Sequence, residues 1–127
     1  DYRRAYQERF GLCRAVHFTT SGKEKLIFLS TIGTDKNNYA RKPNPDLSPE
    51  VRKQWAQERD KYLQNHLSQA KFYGIPGIDV FNASLDTKGN VKSFLVREDD
   101  TIHPSPKGVL FISKKIADFF ALHHLIN

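Results

Sequence analysis

The chain has 127 residues and a net charge of +6, with one cysteine and no methionine. This length suits one domain and leaves little room for a second, so we expect residues 1–127 to belong to a single domain. The lone Cys13 excludes an internal disulfide and a zinc site built from clustered cysteines. No apolar run approaches the roughly 20 residues of a membrane-spanning helix, so we expect no membrane span.

The first part of the chain predicts a helix, a buried strand and a long loop. Tyr2, Tyr6 and Phe10 recur on one helix face, and Gly11 follows where a C-cap glycine belongs. Residues 25–30, Lys-Leu-Ile-Phe-Leu-Ser, form a short apolar run typical of parallel strands buried on both faces. Residues 33–46, rich in asparagine and proline, predict a long polar loop.

Two Ser-Pro dipeptides predict the starts of two long helices. Ser48 can cap free amides and Pro49 has the φ angle of a first turn, so we expect a helix to about Lys71. Ser105 and Pro106 repeat this signal before a C-terminal helix. The predicted apolar stripe of the first helix is Val51, Trp55, Tyr62, Leu63, Leu67 and Ala70. That of the second is Val109, Ile112, Ile116, Phe119 and Phe120.

The alternation of strands and helices predicts an α/β fold with a parallel sheet. Gly74 ends the first long helix, and residues 75–81 predict the next strand, with Pro76 near its start. Residues 91–96 predict either a short edge strand or an extended excursion. Two central strands are too few for such a sheet. Together with a start at Asp1 rather than methionine, this leads us to expect the back half of a doubly wound domain.

The strongest candidate site is the segment 99–108, Asp-Asp-Thr-Ile-His-Pro-Ser-Pro-Lys-Gly, directly before the last predicted helix. Asp100 and His103 are three residues apart in a loop that Pro104 keeps extended. A carboxylate that accepts from one imidazole nitrogen fixes the tautomer and leaves the other nitrogen as a general base. The alternative is structural, since such a loop can simply cap the next helix.

This segment resembles the last block of the SGNH (GDSL-type) serine hydrolases. Residues 74–81, Gly-Ile-Pro-Gly-Ile-Asp-Val-Phe, are similar to the penultimate strand of that fold, and residues 25–30 to the strand before it. The resemblance implies the back half of a flavodoxin-like three-layer α/β/α sandwich with a parallel sheet. It also implies a serine esterase or acyl transferase in which His103 is the general base and Asp100 orients it. Asp99 is the adjacent acid, but Asp100 has the family's spacing.

The family's Gly-Asp-Ser nucleophile block does not occur in this chain. The resemblance therefore implies that the nucleophilic serine lies on a missing N-terminal half, cleaved from this chain or separate from it. It implies an acyl-ester substrate, with carbohydrate and lipid esters as candidates, and neither a cofactor nor a metal. A rival alignment of residues 32–38 with the family's Gly-x-Asn-Asp block would make Asn37 or Asn38 an oxyanion donor. We favour residues 31–46 as a loop at the rim of the site.

A second hypothesis is a non-catalytic basic α/β interaction module that binds nucleic acid or a protein assembly. The basic pairs at residues 3–4, 41–42, 52–53 and 114–115 are scattered along the chain. Such scatter favours solvated helix faces over a phosphate-binding patch, so we do not expect a nucleic-acid partner. His123 and His124 lie near the end of the last predicted helix without acidic neighbours, which favours a helix end over a metal site.

Overall fold

The computed structural model describes residues 26–124, and within this range the chain is a mixed α/β structure. Two short parallel strands and three α-helices alternate along it. They are β1 (Phe28–Leu29), α1 (Pro49–Phe72), β2 (Gly77–Ile78), α2 (Val80–Ser84) and α3 (Pro106–Leu122), with a 3₁₀ turn at Ser93–Leu95. The helix predicted around Tyr2, Tyr6 and Phe10 lies outside the described residues.

Helices α1 and α3 cover opposite faces of the small sheet. Phe28 pairs with Gly77 and Leu29 with Ile78, so each pair shares one face. The ring of Phe28 lies 5.7 Å from that of His66 in α1, measured between centroids. Ile78 belongs instead to the core cluster against which α3 packs. The predicted α/β class with a parallel sheet is therefore confirmed.

Both strands are shorter than predicted, and for β2 the cause is a helix cap. We predicted a strand over residues 75–81, but the Asp79 carboxylate accepts a hydrogen bond from the Asn82 amide at 2.9 Å. This cap starts α2 at Val80, directly after Ile78. The chain therefore leaves the sheet after Ile78, although apolar residues continue to Phe81.

Helix α1 begins and ends as predicted but presents a different face to the core. Ser48 caps it by accepting from the Val51 amide, and Gly74, with φ of +67°, follows its last turn. The buried positions are Arg52, Ala56, Asp60 and Ala70. The prediction that Trp55 and Tyr62 are core residues is wrong, since they are 43% and 38% exposed.

The buried charges of α1 hold the long loop over residues 31–48. The Arg52 guanidinium donates to the carbonyl oxygens of Tyr39, Asn44 and Leu47 at 2.7, 2.9 and 3.3 Å. The Asp60 carboxylate accepts from the Thr34 amide at 3.1 Å. A loop without regular structure leaves its carbonyl and amide groups unpaired unless side chains reach them. Arg52 is therefore a structural residue and not part of a solvated basic pair.

Helix α3 begins at the predicted Ser-Pro signal and closes the second face of the sheet. Ser105 accepts from the Gly108 amide at 3.0 Å. Gly108 is buried so closely against the Leu95 carbonyl that a Cβ atom there would overlap its oxygen. The apolar residues of α3 that pack on the core are Phe111, Ile112, Ile116 and Phe119. Val109, predicted on this stripe, is 53% exposed.

Candidate active site

The loop over residues 97–103 is closed at its base by backbone hydrogen bonds. Val96 and Pro104 form an antiparallel bridge, and the Arg97 amide donates to the His103 carbonyl at 2.9 Å. The Ser105 amide donates to the Leu95 carbonyl at 2.9 Å, which anchors the start of α3 beside the loop. Residues 91–96, predicted as either a short edge strand or an extended excursion, are thus an excursion that contains the 3₁₀ turn and not a continuous strand.

The two predicted site residues meet within this loop, with His103 at its closed end. Asp100 Oδ2 lies 2.6 Å from His103 Nδ1. Asp100 Oδ1 accepts from the backbone amides of Ile102 and His103 at 2.8 and 3.0 Å. Since a carboxylate can only accept, we assign the ring proton to Nδ1, which leaves Nε2 with a free lone pair. This is the geometry that a histidine general base needs.

The environment of Asp100 keeps its carboxyl group ionised. Partial burial acts to raise its pKa, but the hydrogen bonds from the His103 and Ile102 amides and from the His103 ring outweigh it and hold the pKa at about 2. The Asp100 side chain is 20% exposed and that of His103 is 69% exposed. The carboxylate is therefore fixed in the loop while the imidazole faces outward.

The neighbouring Asp99 is turned away from the imidazole. Its carboxylate accepts from Arg97 Nε at 2.8 Å, and a second contact joins Arg97 Nη2 to Asp99 Oδ2. This two-point contact with the guanidinium lowers the pKa of Asp99. The structure therefore pairs His103 with Asp100 and gives Asp99 a different partner.

The loop over residues 31–48 lies directly against the site loop, and Thr101 joins them. The Thr101 hydroxyl lies 2.6 Å from the carbonyl oxygen of Asn38 and accepts from the Arg41 amide at 3.1 Å. The Asn38 side chain is engaged within its own loop, where its Nδ2 donates to Asp35 Oδ2 at 2.8 Å. Asn37 is exposed. Sequence reasoning missed Thr101, because no pattern marks a threonine that bonds to a loop so distant in sequence.

The serine hydroxyls in the described core are already occupied. Ser30 donates to the Ile78 carbonyl at 3.2 Å and accepts from the Phe81 amide. Ser84 donates to the Phe81 carbonyl at 2.7 Å. Ser105 caps α3, as predicted. Within residues 26–124, Nε2 of His103 has no hydrogen-bond partner.

A cavity of about 550 Å³ flanks the site loop without including the Asp100–His103 pair. Its lining combines an apolar wall with charged groups, from Phe94, Arg97, Asp99, Pro106 and Lys107 among others. Over residues 26–124 no group of three or more histidine, cysteine or acidic side chains could hold a metal ion. In the same range, no helix has the length and apolar character needed to cross a membrane.

No protein-family model, curated protein or solved structure matches this chain.

Proposed function

We propose that this chain is the C-terminal part of an SGNH-type serine hydrolase and supplies the histidine base and the aspartate of a Ser-His-Asp triad. The observation that carries the proposal is the 2.6 Å contact between Asp100 Oδ2 and His103 Nδ1, with Nε2 facing outward. A structural helix cap does not require this pairing. Ser105 already caps α3, so the imidazole has no role in starting that helix.

In the proposed reaction the first half forms an acyl-serine. His103 Nε2 takes the proton of a serine hydroxyl as its oxygen attacks the acyl-ester carbonyl, and Asp100 stabilises the imidazolium that forms. The imidazolium then gives that proton to the departing alcohol. In the second half His103 deprotonates a water molecule, for an esterase, or an acceptor hydroxyl, for a transferase, as that oxygen attacks the acyl-serine carbonyl. The ester bond to serine then breaks, and the imidazolium gives its proton to the departing serine oxygen. Each half returns the imidazole to its neutral form.

The nucleophile is proposed to lie outside residues 1–127, on an N-terminal portion of the same fold. Among residues 26–124 the sheet has two strands with helices on both faces, and isolated strand pairs are marginally stable, which supports further strands beside them. Leu29 in β1 is 43% exposed. On the other side of the sheet, a groove of about 590 Å³ lies along α1, lined by Tyr39, Trp55, Tyr62 and His66 among others. Further strands beside β1 would complete the flavodoxin-like sandwich and bring a serine to His103.

The test is labelling of natively purified protein with a fluorophosphonate, followed by intact-mass analysis of every polypeptide present. Fluorophosphonates react with serines activated by a general base, so we expect a label on a co-purifying chain. His103→Gln should abolish it, since glutamine cannot accept the serine proton. His124→Asn is the matched control, because it changes another exposed histidine and should leave the label unchanged.

Two outcomes contradict the proposal. If no polypeptide in the preparation is labelled, the Asp100–His103 pair does not serve a serine nucleophile, and a basic interaction module becomes the better hypothesis. If labelling occurs but survives His103→Gln, the base lies elsewhere.

A further inference from the structure

Thr101 lies between the two site residues in a backbone conformation that its side chain disfavours. Its φ is +57°, in the left-handed region. A β-branched residue rarely adopts this conformation, and such outliers concentrate at functional sites. Something in the surrounding structure must therefore hold Thr101 in place.

The hydroxyl of Thr101 makes the contacts that can do so. It can donate to the carbonyl oxygen of Asn38 or to that of Asp100, each at 2.6 Å. It accepts from the Arg41 amide at 3.1 Å. Thr101 is half-buried between the site loop and the loop over residues 31–48, so valine in its place would remove the hydroxyl contacts that join the two loops. The Arg41 amide would keep its 3.0 Å hydrogen bond to the Asn38 carbonyl within its own loop.

The left-handed turn at Thr101 brings the following two amides onto Asp100. The amides of Ile102 and His103 both donate to Asp100 Oδ1, and this leaves Oδ2 facing the imidazole. If the turn opened, the carboxylate would lose two donors at once. The orientation of the His103 imidazole therefore depends on the backbone conformation of Thr101.

We propose that Thr101 is a positioning residue whose hydroxyl, bonded across to Asn38 and Arg41, holds Asp100 and His103 in register. Its importance for catalysis depends on the function proposed above, whereas its effect on the pair can be measured without any substrate. The loop over residues 31–48, itself held by Arg52, thereby becomes the support of the candidate site. Nothing in the resemblance to a known family assigns this role to a threonine.

The experiment is NMR on the natively purified protein with three substitutions at this position. Thr101→Val keeps the shape and removes the hydroxyl, Thr101→Ser keeps the hydroxyl, and Thr101→Gly favours the turn without the cross-loop bonds. Thr87→Val is the matched control, because Thr87 is an exposed threonine that also follows an aspartate. The readouts are the tautomer of His103, from its ring ¹⁵N shifts, and the titration of the Asp100 carboxyl carbon.

We expect Thr101→Val to lose the Nδ1-protonated tautomer of His103 and to move the pKa of Asp100 from about 2 towards its ordinary 3.8. Thr101→Ser should retain both signatures, Thr101→Gly should retain them in part, and Thr87→Val should match the unsubstituted protein. If the fold persists and Thr101→Val changes neither signature, the inference is overturned. A different result would overturn the proposed function but not this inference. In it, neither the unsubstituted protein nor any variant is labelled by the fluorophosphonate, while Thr101→Val still changes the His103 tautomer and the Asp100 titration as expected.

If Thr101→Val does not fold, the comparison of Thr101→Ser with Thr101→Gly tests the inference instead. The inference requires that serine preserves the tautomer better than glycine does. Equal signatures for these two variants would show that the turn alone, without the hydroxyl, positions the pair.

Discussion

At the scale of single residues, Asp100 derives its proposed role from three hydrogen bonds to one carboxylate. Two backbone amides fix the position of Oδ1, and this orientation of the carboxylate points Oδ2 at Nδ1 of the His103 imidazole. Charged acceptors make stronger hydrogen bonds than neutral ones, which is why an ionised aspartate suits this position. Asp99, one residue earlier, is bonded to Arg97 instead.

This difference between adjacent aspartates gives the first prediction. Asp100→Asn should slow fluorophosphonate labelling by roughly a thousandfold or more, because an amide cannot stabilise the imidazolium and favours the wrong tautomer. Asp99→Asn makes the same chemical change one residue away and should alter the rate by less than about tenfold. Labelling time courses measure both. Equal losses for the two variants would contradict the assignment of Asp100.

A second prediction concerns stability at acid pH. The pKa of Asp100 is about 2 in the folded protein, against an ordinary value of 3.8. A carboxyl group whose pKa is lowered on folding stabilises the fold above its ordinary pKa, and that contribution is lost as the pH falls through the folded value. The free energy of unfolding of the protein minus that of Asp100→Asn should therefore decrease between about pH 4 and about pH 2.

Urea unfolding of both proteins across this range measures the difference. The subtraction removes the other carboxyl groups, whose titration the two proteins share. A difference that stays constant or increases as the pH falls would show that the Asp100 pKa is not lowered in the fold.

At the scale of elements, the helix starts were predictable and the faces of the helices were not. Ser48 and Ser105 cap α1 and α3 because a serine hydroxyl, a following proline and a free amide interact locally. The face that α1 buries depends on the neighbouring loop, whose carbonyl groups need donors. That requirement places Arg52 inside and Trp55 outside, against their hydropathy.

The parts of the candidate site differ in the same way, some depending on local sequence and others on the fold. The pair of Asp100 and His103 could be proposed from sequence because both residues lie in one short loop with a recognisable spacing. The contacts of Thr101 and Gly108 could not, because their partners are Asn38 and Leu95, which the fold brings to them. Short-range chemistry can be read from one sequence, whereas cross-loop contacts require the tertiary structure.

A third prediction concerns the close packing of α3 at Gly108. Gly108→Ala should lower the free energy of unfolding by about 1–3 kcal/mol, because the added Cβ would overlap the Leu95 carbonyl and force α3 outward, even though alanine favours helices. Gly77→Ala is the matched control, since among residues 26–124 a Cβ there meets Leu67 alone, at an ordinary 3.8 Å. Denaturant unfolding compares the two. A Gly108→Ala variant at least as stable as the unsubstituted protein would refute the close approach of α3.

At the scale of the whole molecule, apolar surface remains outside the described core. Leu110 and Leu122 of α3 are 71% and 75% exposed, and Leu29 of β1 is 43% exposed. Single exposed apolar residues are ordinary, but these accompany a sheet that has two strands among residues 26–124. Unpaired strand edges and apolar faces favour association with another chain.

We therefore predict that this chain, purified alone, self-associates as its concentration rises, which light scattering after size-exclusion chromatography measures. Leu110→Glu should reduce this association, because a charge on an exposed apolar position opposes burial there while costing the fold little. Ser113→Glu adds the same charge at another exposed position of α3 and should leave the association unchanged. A monodisperse monomer that melts cooperatively at every concentration would mean that residues 1–127 already complete their own fold, and the proposed N-terminal partner would lose its structural basis.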